Sequence, residues 1–153
     1  MSSQTFDLSK FLYAAKRVLR LQDWKISVKW LMPDDYEKFA NPPDTNNGTP
    51  STACTDMCDG AIDLRETDIR LVVGSCKTQR EAETLLTHEL LHLVLWHSGH
   101  GKERWRDTRL LEQAIVTLEG PVADGIRVQM ARRASCKKDA DSRRNSSLEA
   151  KAA

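Results

Sequence analysis

Seven of the eleven residues from Leu85 to Leu95 are aliphatic; the other four are Thr87, His88, Glu89 and His92. A helix that is apolar nearly all round must be largely buried. Two imidazoles and a carboxylate carried into an interior then need partners, because burying unpaired polar groups is costly. The spacing suggests a shared one. Residues four apart on a helix differ by about 40° in direction and about 6 Å in height. The rings of His88 and His92 therefore leave one face and can converge on a single ion. The alternative is that His88-Glu89-Leu90-Leu91-His92 matches H-E-x-x-H by chance, and the helical context favours the metal site. Thr78-Gln79-Arg80-Glu81 reads as a capping box, so the helix is predicted to run to about Trp96 or His97, with Gly99 as its left-handed stop.

Glu89 lies one step round from His88, where it flanks an ion without having to bind it. A general base taking a proton from metal-activated water must stand there. A catalytic zinc site also needs a third protein ligand and an open position. A third histidine after a glycine turn is not available, because the residues after His92 have neither a glycine three on nor a histidine six on. The other route is a glutamate from the next helix. Glu112 is the preferred third ligand, and Glu119, seven residues on and on the same face, is the alternative. His97 and His100 lie just past the motif helix, where either can stabilise an oxyanion or simply meet the helix dipole.

With Glu112 on a second helix after the motif, the chain resembles the small gluzincin-type zinc metallopeptidases. It is most similar to the minimal domains of phage-encoded metallopeptidases and, more distantly, to SprT-like and ImmA-like proteins, over about residues 6 to 120. The resemblance implies a minimal zincin-like α+β domain: an N-terminal helix, a short twisted sheet, the active-site helix and a following helix. It implies bound Zn²⁺ and hydrolysis of a protein or peptide substrate. It also implies an edge strand that holds the peptide extended, for which the candidate here is Asp68 to Val73. SprT-like proteins often carry a cysteine-rich zinc module after the catalytic part, and here only Cys136 follows it.

The rest of the chain is read from pattern. Helical spacing from Phe6 to Leu21 predicts a helix that Asp7 or Ser9 can cap. Trp24 to Trp30 alternates like a half-buried strand, with Trp24 and Trp30 on its core face. Residues 32 to 52, with four of the five prolines, read as a long loop containing Tyr36. Ala61 to Leu64 and Asp68 to Val73 read as short strands punctuated by Gly60 and Gly74. A helix is expected from Asp107 or Thr108 to Gly120, and a further one from Pro121 that carries Val122, Ile126 and Met130. The expected organisation is one domain over residues 1–134 and a basic, disordered tail over 135–153.

The 153 residues carry a net charge of +1, which marks neither a nucleic-acid coat nor a trap for acidic substrates. Arg127 to Arg144 holds seven lysines and arginines against Asp139 and Asp141. It can touch nucleic acid through phosphates, but it lacks the aromatics of a stacking platform. No apolar run spans a bilayer and the polar N-terminus has no signal-peptide core. A cytoplasmic protein is expected, in the host cytoplasm if phage-encoded, with Cys54, Cys58, Cys76 and Cys136 as thiols. Cys54, Cys58 and Cys76 read as small buried thiols rather than a second metal site. Two rival functions remain: a metal-containing binding protein without turnover, and a nucleic-acid-associated module using the basic segment.

Overall fold

The computed structural model describes residues 5–35, 53–55, 65–95 and 108–152; side chains are described for these apart from 53–55, 108–109 and 142–152. The elements are α1 (Ser9–Val18), β1 (Lys25–Leu31), β2 (Ala53–Thr55), β3 (Glu66–Val72), α2 (Gln79–Leu95) and α3 (Thr108–Ala152). The mixture of helix and strand agrees with the expected α+β class.

α1 is shorter than the pattern suggested. Asp7 accepts the Ser9 N–H at 2.9 Å, which starts the helix late and leaves Phe6 outside. At the other end Arg20 turns left-handed (φ 57°) and the Leu21 N–H reaches back to the Lys16 carbonyl at 2.7 Å. That six-to-one bond is the Schellman closure, here made without glycine. Phe6 packs instead against Trp30, and its carbonyl accepts the indole N–H at 3.2 Å. Trp24 is buried and Trp30 half-buried, as expected of the core face.

The three strands form one sheet in the order β1-β3-β2, with β1 parallel and β2 antiparallel to β3. The expected edge strand, Asp68 to Val73, is therefore the central one. Thr67, Ile69 and Leu71 are buried on one face, and both backbone edges are taken by neighbours. Ser27 and Lys29 of β1 both bond the Asp68 carboxylate, holding that pair in register. Lys29 foremost, then Ser27, hold the Asp68 carboxyl below its usual range. Gly74 (φ 82°) makes the turn out of β3, closed by the Ser75 N–H on the Val72 carbonyl at 3.1 Å.

α2 begins with Thr78 capping the Glu81 N–H at 3.1 Å. The return leg of the box shifts by one residue, since the Glu81 carboxylate accepts from the Lys77 N–H. Ala82, Leu86, Leu90 and Leu93 form its core face, against Ile69 and Leu71 of β3 and Phe11 and Ala15 of α1. α3 corrects two expectations. It is one helix, continuous through Pro121, where two were predicted. Proline inside a helix costs about 3 kcal/mol, but Ile115, Val122, Ala123, Ile126 and Met130 keep one phase across it, Ile115, Ala123 and Ile126 being fully buried. Pro121 itself faces outward. The tail expected to be disordered is also helical to Ala152. Residues 131–141 are all exposed, so this stretch is helical through its Ala, Arg and Lys content rather than through packing. The expected strand Ala61 to Leu64, Tyr36, Gly60, Gly99, His97 and His100 lie outside the described residues.

Arg127 fixes α3 against α2. Its Nε bonds Glu83 at 2.7 Å, while the guanidinium also reaches Asp124, the Arg80 carbonyl and Thr84, and lies over the Phe11 ring. Arg127→Ala leaves the largely buried Glu83 without its cation and is expected to lower stability by roughly 2–4 kcal/mol. Arg127→Lys should recover less than half of that, because one ammonium cannot replace a planar fork. Urea unfolding measures both, and a loss near zero for Arg127→Ala would contradict the assignment.

Candidate metal centre

The face of α2 opposite its core carries His88 and His92. Both imidazoles are about four-fifths buried, and α3 lies across them. The α3 residues that share the phase of Ile115 and Ile126 include Glu112 and Glu119, so the packing that buries those isoleucines also turns two carboxylates toward α2.

The Nε2 atoms of His88 and His92 are 3.2 Å apart. Glu112 offers one oxygen to His88 Nε2 at 3.4 Å and the other to His92 Nε2 at 3.3 Å. Two donors bound at 2.0–2.1 Å to one ion at the tetrahedral angle would be about 3.3 Å apart. The Nε2–Nε2 separation matches that value, each Glu112 oxygen lies at about that distance from one of the two nitrogens, and one donor atom from each residue lies within 4.8 Å of the other two. His88, His92 and Glu112 can thus hold a metal ion, and they offer the expected His₂Glu donor set. Glu112 is half exposed, so among the described residues the site is open on that side.

Glu119 plays a different part from the ligand alternative considered for it. Its carboxylate lies 2.7 Å from Nδ1 of His88, on the far side of the ring from Glu112. A carboxylate on Nδ1 holds that proton and leaves Nε2 to face the ion. Glu89 is buried (5% exposed) between the core face and the histidine face of α2. It is no member of the donor group, and its charge is felt by His88. Cys76 is buried as expected, though in the connection after β3 rather than on a strand. The side chains of Cys54 and Cys58 lie outside the described residues. Sequence reasoning placed Glu119 on the correct face, but nothing in the spacing distinguishes a ring's two nitrogens.

The electrostatics suit a cation. His88 is pushed up to about 9, by Glu112 foremost, against the opposing effect of burial, with Glu119 and the charge of Glu89 adding to it. Burial, helped by the charge of His88, pulls His92 down despite Glu112. Glu112 is lowered, chiefly by His88. A proton on His88 thus occupies the place a metal charge would take. No family model, curated protein or solved structure matches this chain.

Ligand imidazoles must be neutral at the nitrogen that binds. Between about pH 6.5 and pH 9 an incoming ion displaces one proton from His88, so affinity for Zn²⁺ should rise about tenfold per pH unit. It should level off above about pH 9. Competition with a chelator of known affinity, corrected for the chelator's own protonation, checks this; an affinity flat across that window would contradict it.

Proposed function

We propose that the protein is a zinc-dependent metallopeptidase built on a minimal zincin-like domain. The observation that carries this reading is the triangle of His88 Nε2, His92 Nε2 and the Glu112 carboxylate at 3.2–3.4 Å, with a buried glutamate next to it in the chain. Three protein ligands and an open side are the mark of a catalytic rather than a structural zinc site.

Zinc, when bound, lowers the pKa of a coordinated water toward about 7 and polarises a carbonyl. The chain's residues supply the rest. Glu119 keeps His88 in the tautomer that presents Nε2. Glu89 takes the proton of the attacking water and later returns it to the leaving amine. Its burial keeps that carboxylate apart from bulk water. The half-exposed side at Glu112 gives a peptide access. With β3 central, the strand that can receive an extended peptide is an edge one, and among the described residues β2 is an edge strand in contact with α2.

Glu89→Gln keeps the shape and removes the base. Zinc-loaded wild type should cleave an unfolded protein substrate, and Glu89→Gln should be slower by a factor of about 10²–10⁴ at equal zinc content. Zinc-loaded wild type that cleaves nothing would leave a metal-containing binding protein. Equal rates in the two proteins would remove Glu89 from the chemistry.

A further inference from the structure

α3 is 45 residues long, about 67 Å, and Met130 is the last of its described side chains to touch the core. The helix then continues for about 33 Å to Ala152, and every side chain described there is exposed. Arg132, Arg133, Lys137 and Lys138 stand exposed on the projecting part, followed by the exposed Asp139 and Asp141, and no acidic residue occurs between Asp124 and Asp139. At 100° per residue these four point at about 0°, 100°, 140° and 240°, covering three sides of the rod.

We propose that this projecting helix is a docking arm for duplex DNA, held by phosphates and without base-specific contacts. Its composition discriminates among anionic partners. Between residues 131 and 141 the only nonpolar side chains are three alanines and Cys136. An interfacial helix needs large apolar residues to enter a membrane surface, and a helix docking in a protein groove needs apolar anchors at helical spacing. Neither is present. Single strands are gripped by aromatic stacking, and the segment has no aromatic residue. Charge on three sides fits a rod lying in a major groove about 12 Å wide, with phosphates on both flanks. A helix about 10–12 Å in diameter enters such a groove. Duplex phosphates would also relieve the repulsion among four like charges on a stretch whose described side chains are all exposed.

The arm is separate from the metal centre, so the two readings can fail independently. Full-length protein, with its metal centre intact, is titrated into a short labelled duplex of arbitrary sequence and followed by anisotropy. Each neutralised phosphate contributes about −0.9 to the slope of log affinity against log salt. Four contacts predict an affinity loss of roughly a hundredfold between about 50 and about 200 mM salt. The combined variant Arg132→Gln, Arg133→Gln, Lys137→Gln and Lys138→Gln keeps good helix formers. With an unchanged circular dichroism spectrum it should lose most of this binding and its salt dependence. EDTA should leave wild-type binding unchanged. Absence of binding at about 50 mM salt, a variant that binds like wild type, or tighter binding to polyglutamate or anionic vesicles would overturn the proposal.

Discussion

A helix whose one face is core and whose other face carries two imidazoles cannot be covered by an apolar neighbour. α3 meets that constraint with a mixed stripe in which Ile115 and Ile126 bury against the body while Glu112 and Glu119 answer the histidines. The arrangement leaves His88 between two carboxylates, one on each ring nitrogen. A proton can neutralise that group, and so can a divalent ion. The site is thus a consequence of how α2 is buried, and the Arg127–Glu83 contact further along both helices keeps the two faces aligned.

Much of this was legible in the residues. The apolar run from Leu85 to Leu95 located the buried helix, the histidine spacing located the shared face, and an apolar helix carrying Glu112 supplied the third donor. The Trp24 to Trp30 alternation gave β1 to within a residue. What escaped has identifiable causes. Pro121 is a local helix-start signal, although the stripe from Ile115 to Met130 keeps its phase across it. Local propensity at one proline yielded to continuous packing on both sides. Arg20 ended α1 early through a left-handed turn that no glycine announced. The position of β3 within the sheet depends on which strands pair with it, and alternation within a strand carries no information about its neighbours.

The two ends of α3 serve different physics. Near its start, carboxylates face inward and lie against partly buried imidazoles, where charges interact strongly. From residue 131 to residue 141 every side chain of the same helix is exposed, and its lysines and arginines act at longer range and subject to salt. One continuous element can therefore link a buried cation site to an exposed basic arm without either requiring the other.

X-ray absorption on the zinc-loaded protein tests the central claim most directly, because it reports the ligand atoms. Two imidazoles and oxygen donors should appear at about 2.0–2.1 Å, and His92→Ala should remove one imidazole from the signal. Sulfur at about 2.3 Å would place the ion on the cysteines and contradict the account, as would a first shell without imidazole.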